Sequence, residues 1–162
     1  MPRARAVLAG TAIVAALLAL YLLAPPTTLL TPAEHERTTV TLVDSNGTEL
    51  ANVDVRVAET RAQRRVGLSR TDALADGTGM LFVHDSVDTR SYVMRNMSFG
   101  LDIVFLDSDG TITEIHDAPA PPGGDGSYRG TGKYVLEVPR GWTAATGVAV
   151  GDRVEIPAAY RG

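Results

Sequence analysis

SYVMRNMSFGLDIVFL, residues 91–106, sets two apolar runs on either side of a short polar loop. In a strand, side chains alternate between faces with a period of two. Tyr92, Met94 and Asn96 then share one face, and Val93, Arg95 and Met97 the other. In the second run Leu101, Ile103 and Phe105 point one way, and Asp102, Val104 and Leu106 the other. Residues 103–106 are apolar on both faces, so this strand is expected to be buried on both sides. Paired as a hairpin, the two runs would bring Asn96 and Asp102 within hydrogen-bonding reach across the loop. The same alternation puts Arg95 on the face away from Asn96.

Working outward, further strands are predicted at Thr38–Val43 and Asn52–Val57, joined by the turn Ser45-Asn46-Gly47. Thr60 is a helix N-cap by type, and residues 61–68, RAQRRVGL, form a short helical turn ending near Gly67. Gly77 and Gly79 mark a loop before a short strand at Met80–Val83. Asp107–Gly110, DSDG, is a hairpin turn leading into Thr111–His116. Ala118–Gly132 is rich in proline and glycine and reads as a long irregular loop. Lys133–Val138 and Arg153–Ile156 are the last strands, with a helical turn at Gly141–Gly147 between them. Many short strands with turn residues between them predict an all-β domain. The form expected is a compact antiparallel sandwich or barrel with one or two short helices.

The globular part is preceded by a different kind of sequence. Residues 6–24, AVLAGTAIVAALLALYLLA, carry no charge. As a helix they would span about 28 Å, close to the ~30 Å hydrocarbon core of a bilayer. Arg3 and Arg5 precede the run and favour a cytoplasmic N-terminus at 1–5. An uncleaved transmembrane anchor is the favoured reading. A cleaved signal peptide is the alternative, poorly matched by Leu22 and by Pro25 after the cut. Both put the domain outside the cytoplasm. Residues 25–37 are a proline-containing linker, and 38–162 are the domain.

Composition excludes some functions. The chain has no cysteine, so disulfide and thiolate chemistry are absent. Without Arg3 and Arg5, the 15 basic residues fall to 13 against 19 acidic ones. A domain with this balance and no basic patch argues against nucleic acid as a partner. The expected partners are the membrane, through the N-terminal helix, and a small ligand or an envelope protein.

RVAETRAQRRVGLSR, GMLFVH, MRN, LDIVFLDSDGTITEIH, APAP, YVLEV and GWTAATGVAVGDRV occur in an order and spacing that resemble the prokaryotic family called domain of unknown function 192. The likeness runs from about Val53 to Ile156. It implies a compact, mainly β, jelly-roll-like domain, often exported or lipid-anchored, with no established activity. This chain departs from the family pattern at Val93, where a Trp is usual. It also departs at Arg95 for Lys, Met97 for Thr, Gly100 for Pro and Ser69 for Met.

Candidate ligand-binding residues are Arg95 as an anion binder, Asn96 as a hydrogen-bond donor and acceptor, and Asp102 as an acceptor or weak base. The competing reading is that Asn96 and Asp102 tie the loop by bonding its backbone amides. Tyr128 and Arg129 are candidates for a binding rim, whereas Tyr134 and Trp142 are expected in the core. Glu137, between Leu136 and Val138, faces a partly apolar surface. It needs an ion-pair partner there or takes a raised pKa. His84, His116 and Asp117 match no metal-ligand spacing, so no metal or cofactor is assigned. No serine elbow or fixed carboxylate pair is present. The leading function is a binding or accessory module. A hydrolase using Asp102 or Glu137, and a purely structural envelope protein, are the alternatives.

Overall fold

The computed structural model describes residues 35–123 and 126–162. The predicted anchor at 6–24 lies outside the described residues. Among those described, no helix is long and apolar enough to cross a membrane.

Among the described residues, seven strands follow in chain order: β1 Arg37–Val43, β2 Glu49–Ala58, β3 Thr78–Val93, β4 Leu101–Leu106, β5 Ile112–Ala118, β6 Ser127–Pro139 and β7 Arg153–Glu155. Two short α-helices are interspersed among these, α1 Arg61–Val66 and α2 Trp142–Thr146, and a 3-10 turn at Ala158–Tyr160 follows β7. The strands form one curled sheet in the order β5-β4-β6-β3-β2-β1-β7. Its two edges approach each other through a Thr111–Arg153 bridge. Backbone bonds from Val154 to Gly110 at 2.9 Å and from Ile112 to Asp152 at 2.8 Å reinforce that closure. The all-β expectation holds, as does the pair of short helices. The sheet is not wholly antiparallel, however: β2 and β3 run parallel. A parallel pair needs a crossover, and α1 with the segment after it supplies one.

The sequence expectation fails at the central hairpin. The runs of residues 91–106 do not pair with each other. Both pair with β6, which lies between them. Tyr92 stands opposite Tyr128, and Ile103 opposite Glu137. The short strand expected at Met80–Val83 is the start of a 16-residue strand. Its far half pairs with Ser127–Gly132, which the composition had assigned to a loop. Glycine is tolerated there because another group sits where a side chain would be. A Cβ on Gly130 would lie 2.5 Å from the Phe105 ring.

Alternation divides the core in two. Val40, Leu42, Val53, Val55, Leu81, Val104, Leu136 and Val138 form one cluster, with Tyr134 and Trp142 among them. Met80, Phe82, Met94, Leu101, Ile103, Phe105 and Val135 form a second cluster on the other face. β4 is buried at all six positions, as its two-sided apolar pattern requires.

α1 is fixed by its ends. Thr60 and Gln63 form a capping box, the Gln63 amide donating to Thr60 Oγ1 at 3.1 Å and the Thr60 amide to Gln63 Oε1 at 2.9 Å. Gly67 closes the helix with φ 48°. Residues 61, 64 and 65 sit at i, i+3 and i+4, so one side of this helix is arginine.

Candidate functional site

Glu137 lies near the C-terminal end of β6, flanked in register by Met80 of β3 and Ile103 of β4. It projects onto the face of the second apolar cluster, because it alternates with Leu136 and Val138 of the first. Only 7% of it is exposed. Burial pushes its carboxyl up to about 8. No hydrogen bond or neighbouring charge offsets that shift.

Glu137 lines a cavity of about 800 Å³. The walls come from α1 and the turn after it, from the far half of β3, from residues 94–97 and from Leu101. Leu68, Phe82, Met94 and Leu101 supply apolar surface. Arg61, Arg64, Arg65, Arg70, Arg90 and Arg95 supply charge.

Two of these arginines are held in place. Arg64 Nη1 donates to the Val83 carbonyl at 2.7 Å and to the Glu59 carbonyl. Arg90 donates from Nε to the Gly132 carbonyl at 3.2 Å and from Nη2 to the Ser86 carbonyl at 2.5 Å. The anchors are main-chain dipoles. Among the described residues, no carboxylate forms an ion pair with either. Their charge is therefore fixed at the cavity without being neutralised.

His84 and Tyr92 stand beside them. His84 Nε2 and the Tyr92 hydroxyl are 2.9 Å apart. Burial first, then the charges of Arg90 and Arg64, lowers His84 to about 4, with Asp85 opposing. Burial, aided by the Glu137 charge, raises the Tyr92 phenol above its ordinary range. Both side chains are thus neutral hydrogen-bonding groups near pH 7. Edge-to-face packing on Phe82 and Phe105, with centroids 5.1 and 5.8 Å away, locks the Tyr92 ring.

The sequence pattern of DUF192, described as "Uncharacterized ACR", matches residues 41–156. The chain belongs to the DUF192 family. Two crystal structures share its fold. One is a proposed transcription regulator of Sinorhizobium meliloti 1021, 31% identical, with a TM-score of 0.70. The match covers 76% of this chain and 95% of that one. The other is a protein of unknown function from Novosphingobium aromaticivorans DSM 12444, 29% identical, with a TM-score of 0.69. It covers 78% and 89% of the two chains. No curated protein matches the chain.

Within this DUF192 domain the residues singled out from sequence separate. Arg95, Asn96 and Glu137 all line the cavity. Arg95 and Asn96 do so together because they lie in the turn beyond β3, where strand alternation no longer applies. Asn96 has φ 58°, a left-handed conformation that Asn adopts more readily than most residues. Asp102 is elsewhere and does not meet Asn96 across the loop. It is buried, and accepts from the Gly141 amide at 2.9 Å and from the Thr143 amide and hydroxyl at 2.9 and 2.6 Å. Asp102 therefore serves the fold, by holding the start of α2.

Tyr128 and Arg129 are also outside the cavity lining. Tyr128 packs on the second cluster, 5.9 Å from the His116 ring. Arg129 is exposed, and its carbonyl lies 2.8 Å from His116 Nε2. Sequence reasoning passed over Arg61, Arg64, Arg65 and Arg90. The signal for the first three was present: like charges at i, i+3 and i+4 repel along a helix and need a reason. Arg90 gave none, since its role depends on the carbonyl of Gly132 on another strand.

Proposed function

We propose that this DUF192 domain is a binding module for a small organic anion, held in the cavity between α1, β3 and β6. One observation carries the reading: Arg64 and Arg90 are fixed by main-chain carbonyls at the cavity wall and left without a carboxylate partner. An anion that enters meets two guanidinium groups already ordered by carbonyls, each with N–H donors beyond those the carbonyls take, so less entropy is lost on binding. The mixed apolar and polar lining and the size suit a small molecule. The six lining arginines form a basic patch that the acidic balance of the sequence did not reveal, and they concentrate its charge at the cavity. The apolar segment at 6–24 supports display of the module outside the cytoplasm on a membrane anchor.

A thermal-shift titration with acetate, phosphate and hexanoate tests the reading. A native-state ligand raises the unfolding midpoint in proportion to its occupancy. The midpoint is expected to rise for the wild-type chain and to stay flat for a double Arg64→Ala, Arg90→Ala variant. Equal responses from the two proteins overturn the assignment of the site.

A further inference from the structure

We propose that the anion bound here is polyhydroxylated and of monosaccharide size, a sugar acid in chemical class, and that Glu137 is the residue that reads its hydroxyls. The inference rests on the small-anion reading above and adds the chemistry of the rest of the ligand.

A carboxyl as buried as Glu137 needs a hydrogen-bond partner. The groups around it do not supply one. On β3, His84 and Tyr92 bond each other at 2.9 Å, and neither bonds Glu137. Arg90 on β3 and Arg64 on α1 are turned to main-chain carbonyls. On β4, Leu101 and Ile103 carry no polar atoms. The Glu137 oxygens are not sealed in, because the residue lines the cavity and no buried orphan atom is found there. The missing partner therefore comes from the cavity side.

Burial keeps this carboxyl protonated at neutral pH. A neutral carboxyl presents one O–H donor and acceptor lone pairs. That is the complement of neighbouring hydroxyls, which both donate and accept. The Asn96 amide, which also lines the cavity, offers the same pairing. An aliphatic anion leaves these groups unpaired, and a site built to hydrogen-bond a hydroxyl discriminates strongly against the analogue lacking it. Arg64 and Arg90 take the charged end, and about 800 Å³ accommodates a hexose acid with its bound water.

Isothermal titration of the full chain at pH 7 with glucuronate, hexanoate and glucose separates charge from hydroxyls. Glucuronate is expected to bind about tenfold tighter than hexanoate. Glucose, lacking the charge, is expected to bind more weakly than glucuronate. Glu137→Leu should erase the preference, so that glucuronate and hexanoate bind the variant alike. Glu137→Gln, which keeps a donor and an acceptor, should preserve the preference. Hexanoate binding as tightly as glucuronate overturns this inference and leaves the anion site standing. A preference for glucuronate that survives Glu137→Leu overturns the role of Glu137. Binding of neither anion overturns the small-anion reading and this inference with it.

Discussion

Asp102 Oδ2 accepts two bonds from one residue, the Thr143 amide at 2.9 Å and the Thr143 hydroxyl at 2.6 Å. Oδ1 accepts a third from the Gly141 amide at 2.9 Å. A strand residue thereby caps a helix that begins 40 positions later in the chain. The five-residue α2 has no side-chain cap of its own on Gly141, so it depends on this remote acceptor.

Asp102→Ala leaves three donors unpaired, two of them buried on Thr143 and one the part-buried Gly141 amide. At about 1 kcal/mol or more each, the loss is expected to be about 3 kcal/mol. Asp102→Asn retains an acceptor and should lose less. Urea unfolding at pH 7 measures both. Because Asp102 does not line the cavity, anion affinity in the folded variant should match wild type. A stability loss below about 0.5 kcal/mol for the alanine variant would remove Asp102 from the fold.

Glu137 makes stability depend on pH with a defined sign. Its native pKa, about 8, lies above the ordinary 4.5. The unfolded chain therefore releases a proton that the native state keeps. The contribution is fully present below about pH 4.5 and is lost as pH rises through about 8, with a limiting slope of about −1.4 kcal/mol per pH unit. Glu137→Gln abolishes that slope. The stability gap between variant and wild type should widen from pH 5 to pH 8 in parallel denaturation curves. Curves that stay parallel across the range would sink the assignment.

On the proposed reading, Arg64 and Arg90 would hold an anion through geometry as well as charge. Arg64→Lys keeps the charge but loses the planar guanidinium, which gives Nη1 to two carbonyls and keeps further N–H donors. It is expected to weaken hexanoate binding nearly as much as Arg64→Ala, by about tenfold. Full rescue by lysine would mean that the site uses diffuse charge. Salt titration adds a second readout, since affinity should fall as ionic strength rises.

Gly110 is where the curled sheet closes. Its φ is +90°, and a Cβ there would sit 2.2 Å from the Val154 carbonyl oxygen. Gly110→Ala is expected to cost more than about 2 kcal/mol, through strain at positive φ and displacement of β7. Thermal unfolding reports it. An unchanged midpoint would mean that the edge contact between Gly110 and Val154 contributes little.

Much of the fold was legible in short windows of sequence. Each of the predicted strands has a counterpart, and the six-residue burial of β4 follows from its unbroken apolar run. Thr60 caps α1 as its type and position require. Tyr134 and Trp142 are buried as expected. Errors arose where a local signal met a distant partner. The glycines at 130 and 132 look like loop residues until the Phe105 ring and the Leu106 backbone occupy the space beside them. Glu137 was recognisable as a carboxylate on a partly apolar face. That it has no ion-pair partner was not, because alternation does not say which strands flank it.

Residue order alone determined which side chains share a face, where turns and caps fall, and that one central strand is buried on both sides. These follow from the period of two and from local backbone preferences, which act over a few residues. Tertiary structure alone decided that β6 inserts between the two runs of residues 91–106. That insertion sends Asp102 to Thr143 instead of Asn96, and brings Glu137 into the lining of the same cavity as Arg64 and Arg90. Strand neighbours are chosen by burial summed over the whole sheet, set against the entropy of closing long loops. Neither quantity is written in any one stretch of the chain.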